Sequence, residues 1–175
     1  FAANPIYFTD MDQCRPASAI SSEPKPGYWR KLAYETNVMS GVMLTAGAET
    51  AAPEVSYPLN VSGWHAVSIG LYGDHITAGQ TRWYNDLRTF SEILIKVSDS
   101  DTFSLLTLPG LESGDVDTRV IGEQLRELFW RVVNLTNQDL VLGQVSYRLA
   151  PGTNVGSYQS INARVAYIKL VPLSD

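Results

Sequence analysis

The residues best suited to chemistry form one polar and aromatic stretch between Asp74 and Asp86. It contains six candidate ligand-binding residues: His75, Arg82, Trp83, Tyr84, Asn85 and Asp86. A sugar ring presents apolar C–H faces and a fringe of hydroxyl groups, and an aromatic platform beside amide, carboxylate and guanidinium groups suits both parts. We therefore expect a saccharide-binding loop with Trp83 as the stacking platform. The alternative is that Trp83 packs beneath its own loop or against a neighbouring domain.

The chain has no sequence pattern typical of catalysis. His65 and His75 have no second ligand at metal-binding spacing, and there is no Gly-x-Ser-x-Gly elbow or phosphate-binding loop. The eighteen carboxylates could include a glycosidase-like pair, but their placement in polar stretches is typical of a solvated surface. We expect no activity in this domain alone. The sequence leaves open whether the parent chain is a glycoside hydrolase.

Cofactor use is also expected to be absent, with one alternative. Asp99, Asp101, Asp115 and Asp117 lie in short polar stretches, and their oxygens are the ligand type that calcium prefers. Turn formation by aspartate explains the same residues equally well. A structural calcium ion therefore stays open.

Composition excludes two classes of partner. The chain has 175 residues and a net charge of −5, and its thirteen Lys and Arg residues are scattered. Nucleic acids and anionic membrane surfaces both require a basic patch, so we expect neither as a partner. No apolar run approaches the roughly 20 residues needed to span a bilayer. The sequence does not settle the cellular compartment, secreted and cell-surface locations included.

Short segments with period-two hydrophobicity recur along the chain and predict an all-β fold. Strands are predicted at 28–36, 42–45, 55–59, 63–72, 92–97, 103–108, 127–135, 139–149 and 164–173. Turn residues separate them, as at Gly73-Asp74 and Asn137-Gln138. This spacing is typical of a two-sheet antiparallel β-sandwich, and the chain is long enough for one such domain.

The alternating positions of these strands predict the core. We expect it to contain Val67, Ile69, Leu71, Ile93, Ile95, Leu128, Trp130, Leu140, Leu142, Ala166, Ile168 and Leu170. Trp29 and Trp64 also stand in strand-like runs and are expected there. Cys14, the only cysteine, excludes an internal disulfide and is expected to be a buried, inert thiol.

Domain boundaries follow from the prolines near the start. Four prolines within residues 1–27 predict an irregular leader that wraps a sheet edge, ahead of a single sandwich domain at 28–175. The first residue is Phe1, so we expect a domain cut from a longer chain.

Three segments carry a resemblance to a known group of domains. They are Gly63–Gly73 (GWHAVSIGLYG), Asn134–Leu142 (NLTNQDLVL) and Ala166–Leu173 (AYIKLVPL). These resemble strands of jelly-roll, galactose-binding-like accessory domains attached to bacterial glycoside hydrolases and polysaccharide lyases. The resemblance implies a non-catalytic carbohydrate-binding module whose partners are a saccharide or an adjacent catalytic domain. The alternative it leaves open is a structural domain that packs against other domains or proteins and binds no sugar.

Overall fold

The chain is built almost entirely from β-strands, as the sequence predicts. The computed structural model describes residues 4–23, 25, 27–47, 52–72, 93–106, 118–120, 125–144 and 162–173. Its strands are β1 (Ile6–Phe8), β2 (Ile20–Ser21), β3 (Trp29–Glu35), β4 (Ser40–Gly47), β5 (Val55–Pro58), β6 (Ser62–Tyr72), β7 (Ile93–Val97), β8 (Ser104–Leu106), β9 (Thr118–Val120), β10 (Leu125–Thr136), β11 (Asp139–Gln144) and β12 (Asn162–Pro172). Two short 3-10 turns, Met11–Gln13 and Ala17–Ala19, lie between β1 and β2. No helix in these ranges is long and apolar enough to cross a membrane.

The strands form two sheets. The larger sheet has the order β2-β3-β4-β12-β6-β10-β9, and β1 also pairs with β12; the smaller sheet has the order β5-β11-β7-β8. Every described pairing is antiparallel except the short one between β2 and β3. The closing strand β12 therefore lies inside the larger sheet, between β4 and β6. The predicted antiparallel β-sandwich is confirmed at this level.

One hydrophobic core lies between the sheets, and period-two alternation accounts for it. Ile69 and Ile168 from the larger sheet meet Ile95 and Leu140 from the smaller one, and all four are fully buried. Ten of the twelve predicted core residues belong to this cluster: Val67, Ile69, Leu71, Ile93, Ile95, Leu128, Leu140, Leu142, Ile168 and Leu170. Trp29 and Cys14 are buried in it as expected. Burial raises the pKa of the Cys14 thiol to about 12, which keeps it protonated and inert near neutral pH.

Of the two remaining core predictions, Trp130 is only partly buried, whereas Ala166 is fully buried as expected but in a second cluster, and β-bulges explain both positions. The register of β10 against β6 shifts between Phe129 and Arg131, and Trp130 at the shift is only partly buried against the core. The register of β12 against β6 shifts between Val165 and Tyr167, and Ala166 lies in a separate buried cluster. A bulge inserts one residue and reverses the alternation beyond it. Simple alternation therefore assigned Ala166 to the wrong cluster.

The leader contributes strands as well as irregular segments. Within residues 1–27, Tyr7 of β1 pairs with Lys169 of β12, and β2 adds the outermost strand beside β3. The main chain of Arg15 also bridges Ser56 of β5, so the segment contacts both sheets. Strand β2 is therefore the outermost strand of the larger sheet, whereas β1 lies against β12 in its interior.

Candidate functional site

The six ligand-binding residues predicted from the sequence lie outside the described residues. These are His75, Arg82, Trp83, Tyr84, Asn85 and Asp86. The saccharide-binding loop therefore stays a prediction.

Within the described part of the chain, a polar and aromatic groove of about 210 Å³ lies where one edge of the larger sheet meets the smaller sheet. We call it the edge groove; it is lined by Trp64, Lys96, Val97, Ser100, Thr102, Ser104, Trp130, Arg131, Val132, Val133 and Asn134. Strand β9 pairs with β10 only along residues 126–128. The rest of β10 has no described strand on that side, and its side chains can line an open groove.

Trp130 lies at the bulge of β10 and packs against the core beside this groove. Its indole Nε1 is buried and has no hydrogen-bond partner among the described residues. Trp29, in the same core, instead donates its Nε1–H to the carbonyl oxygen of Pro53 at 2.6 Å. A buried donor without a partner costs free energy, and such groups are uncommon in native proteins. In the described part of the chain, Trp130 thus differs from Trp29 in having no partner for its indole N–H.

Arg131 connects the two sheets across the groove. Its Nη2 donates to the hydroxyl oxygen of Ser104 on β8 at 2.6 Å, and its guanidinium carbon lies 4.6 Å from the centre of the Trp130 ring. A guanidinium has five N–H donors in a planar fork, and the bond to Ser104 uses only one of the two terminal nitrogens. Arg131 is exposed, so its other donors remain accessible to a ligand.

Lys96, on β7, brings a second cation to the lining. Its Nζ donates to the carbonyl oxygen of Ser100 at 3.1 Å and lies 4.8 Å from the centre of the Phe103 ring. Both contacts are with neutral groups of the turn between β7 and β8. They fix the direction of the side chain, and no carboxylate is among the described contacts of Lys96.

Trp64, on β6, provides an exposed aromatic surface. The residue is 49% exposed, and its backbone pairs across the sheet with Asn134. The expectation that Trp64 is a core residue was wrong. The sequence already indicated this, because period-two alternation places Trp64 on the same face of the strand as Ser68 and Gly70, opposite the face of Val67. Trp130 could not be placed in the same way, since nothing in the sequence marks the bulge beside it.

The groups that line the edge groove are suited to binding. No Asp or Glu occurs among the described residues that line the edge groove. In the same described ranges, no cluster of three or more His, Cys, Asp or Glu residues could hold a metal ion. Asp99 and Asp101 are exposed in the turn between β7 and β8, while Asp115 and Asp117 lie outside the described residues. The calcium alternative stays untested.

Two other buried polar groups, at His65 and Glu127, have structural partners, whereas Thr45 Oγ1 and Arg30 Nε, like Trp130 Nε1, have none among the described residues. His65 is buried, and its Nδ1 lies 2.9 Å from the carbonyl oxygen of Gly63, as expected of a structural histidine. In the second cluster, Glu127 accepts hydrogen bonds from the Tyr167 hydroxyl at 2.7 Å and from the Lys169 Nζ at 2.9 Å. Burial, followed by the hydrogen bond to Glu127, raises the pKa of Tyr167 well above its usual value. This network stays on the far face of the larger sheet and does not line the edge groove.

Comparison with known proteins adds no family assignment: no protein-family model matches the chain, and no curated protein matches it. The likeness to jelly-roll accessory domains rests on the sequence segments that carry it.

Proposed function

We propose that this chain is a non-catalytic carbohydrate-binding domain that assists a glycoside hydrolase or polysaccharide lyase, and that the edge groove holds the saccharide. In this proposal the sandwich is of the jelly-roll, galactose-binding-like type. The loop with Trp83 supplies further contacts.

The observation that carries the proposal is a pair of tryptophans in one polar groove. Trp64 is half exposed, and Trp130 is partly buried in the same lining. An indole face stacks on the C–H face of a pyranose, and the neighbouring amide, hydroxyl and guanidinium groups suit its hydroxyls. Asn134, Ser104 and Arg131 provide these groups within the lining.

The size of the groove sets the extent of the ligand. Its volume of about 210 Å³ is below the roughly 300–1,000 Å³ of pockets that enclose a drug-sized molecule. It therefore accommodates one or two sugar units, with the rest of the glycan in solvent. Limited contact of this kind gives modest affinity, because association must first offset the lost freedom of the ligand.

The test begins with a glycan array on the 175-residue chain, with and without calcium, followed by calorimetry on the best ligand. Trp64→Ala is expected to weaken binding about tenfold or more, which equals about 1.4 kcal/mol, while the melting temperature stays nearly unchanged. Val38→Ala is the matched control, because Val38 is also about half exposed but lies between β3 and β4, away from the groove.

Two further variants separate the candidate contacts. Trp130→Phe keeps an aromatic ring but reduces its surface and removes the N–H, so binding should weaken about three- to tenfold. Trp83→Ala tests the loop predicted from the sequence. If only Trp83→Ala abolishes glycan binding, the binding site is that loop and not the edge groove. If the unmutated 175-residue chain binds no glycan on the array, the proposal is contradicted.

A second function is favoured by exposed apolar groups beside the groove. Phe129 and Val132, each 45% exposed, lie on the same strand as Trp130 and extend the apolar surface that Trp64 begins. Apolar surface of this kind also suits contact with a neighbouring domain. If the chain binds no glycan but Phe129→Ser weakens its association with the catalytic domain of the parent protein, the structural role is the better account.

A further inference from the structure

The charge of the edge groove is opposite to that of the whole molecule. The chain has a net charge of −5, yet the described residues that line the groove include two cations, Lys96 and Arg131, and no carboxylate. An acidic protein that keeps a local excess of positive charge in a groove concentrates anions there.

These two cations also differ from others in the described residues by their partners. Lys31 pairs with Asp12, Arg15 with Asp139 at 3.0 Å, and Lys169 with Glu127 at 2.9 Å. The described contacts of Lys96 and Arg131 are instead a carbonyl oxygen, a hydroxyl and two aromatic rings. These contacts orient the two cations and leave their charge available.

We propose that the saccharide bound in the edge groove is anionic and carries carboxylate or sulfate groups. This inference rests on the proposed function, because it names the class of glycan for the same site. The planar fork of Arg131 matches two oxygens of a carboxylate or sulfate, and Lys96 supplies a second point charge. Trp64 then stacks on the ring that carries the anion, so one sugar unit engages both the aromatic and the charged part.

The experiment compares charged and neutral forms of the same glycans by calorimetry on the full chain. One pair is oligogalacturonate and its methyl ester, which differ only in the carboxylates. The other pair is dextran sulfate and dextran, which differ only in the sulfates. The charged member of at least one pair should bind about tenfold tighter or more, as expected for charge-assisted hydrogen bonds. The pair that shows the preference identifies the anion.

Three variants assign the preference to the groove. Arg131→Gln and Lys96→Gln should each lower affinity for the charged glycan about tenfold, and the loss for its neutral form should be clearly smaller, because only hydrogen bonds to its hydroxyl groups change. Lys25→Gln removes the same charge from an exposed residue outside the groove and should have no effect. Arg131→Lys keeps the charge without the fork and should fall between wild type and Arg131→Gln. Circular dichroism of each variant checks that it folds.

The possible outcomes separate the two proposals. Equal binding of charged and neutral forms, with Trp64→Ala still weakening both, would overturn the anionic specificity and leave carbohydrate binding intact. A loss as large in Lys25→Gln as in Arg131→Gln would also overturn it, because the attraction would then be non-specific. If no member of either pair and no glycan on the array binds, both proposals fall.

Discussion

The two faces of the larger sheet are stabilised by different interactions, although the same strands build both. The inner face, which meets the smaller sheet, is apolar, with Ile69 and Ile168 fully buried. The outer face buries Tyr167 together with an ion pair between Glu127 and Lys169. Apolar burial is non-directional and scales with area, whereas a buried ion pair depends on exact partners. The inner face should therefore tolerate substitutions by apolar side chains of similar volume. The outer face should not tolerate a substitution that removes one charge of the ion pair.

The outer cluster depends on a close fit as well as on charge. Gly70 of β6 lies beneath the ring of Tyr167, where a Cβ atom would overlap the ring. The same ring meets Tyr7 of β1 edge to face, with ring centres 5.5 Å apart. Tyr167 is thus enclosed by a strand of the leader above and a glycine below, and its hydroxyl is directed to Glu127.

The largest effect is expected when the charge of Glu127 is removed. Glu127→Gln leaves the ammonium of Lys169 buried opposite a neutral amide, which should lower the free energy of unfolding by about 3–5 kcal/mol. Urea denaturation monitored by circular dichroism measures it. The double variant Glu127→Gln/Lys169→Met should recover most of the loss, since it removes the stranded charge. Should the single variant unfold like wild type, the comparison between the two faces would be wrong.

A cavity in the inner face should lower the free energy of unfolding by as much as Glu127→Gln or by less. Ile168→Ala removes a fully buried side chain from the core, so the free energy of unfolding should fall by about 2–5 kcal/mol. Ile168→Val is the matched control and should cost only about 0.5–1.5 kcal/mol. Urea denaturation again provides the measurement. A negligible loss in the alanine variant would show that β12 turns its other face to the core.

Alkaline pH is expected to have the smallest effect on folding stability. It tests the burial of a single residue, Tyr34, in the outer cluster. Burial raises the pKa of Tyr34 to about 12, and its hydroxyl donates to the carbonyl oxygen of Ala166 at 3.3 Å. In the unfolded chain a tyrosine ionises near its usual pKa of about 10. Between these values the folded state retains a proton that the unfolded state has lost, so stability should fall as the pH rises.

Tyr34→Phe isolates this contribution. Urea unfolding of wild type and variant at about pH 8 and about pH 11 should give a smaller loss of stability in the variant, because one of the raised pKa values is gone. If the wild type and the variant lose the same stability between the two pH values, Tyr34 ionises equally well in the folded and the unfolded chain. The cluster would then be open to water at this residue.

Local patterns predicted the strands well because they depend on neighbouring residues. The predicted strand at 63–72 corresponds to β6 (Ser62–Tyr72), and the one at 28–36 corresponds to β3 (Trp29–Glu35). The turn at Asn137-Gln138 is also present: Asn137 has a φ of 60°, a left-handed conformation that asparagine tolerates better than most residues. The pairing of β1 with β12 could not be predicted in this way, because a three-residue strand near four prolines carries too little period-two signal.

The candidate site was harder to predict because it combines distant segments. Ser104 of β8 and Arg131 of β10 are brought within hydrogen-bond distance only when the two sheets pack. The sequence identified aromatic and polar composition at 74–86, where those residue types are adjacent in the chain. It could not identify a groove whose two tryptophans lie on different strands.

By itself, the sequence determined the all-β class, most of the strands and eleven of the twelve residues it assigned to the core. These follow from period-two burial, which each strand carries in its own residues. Only the tertiary structure decided where the alternation breaks, because a bulge depends on the partner strand as well as on the strand that contains it. The bulge in β10 brings Trp130 and Arg131 to the edge groove, and the bulge in β12 moves Ala166 to the outer cluster.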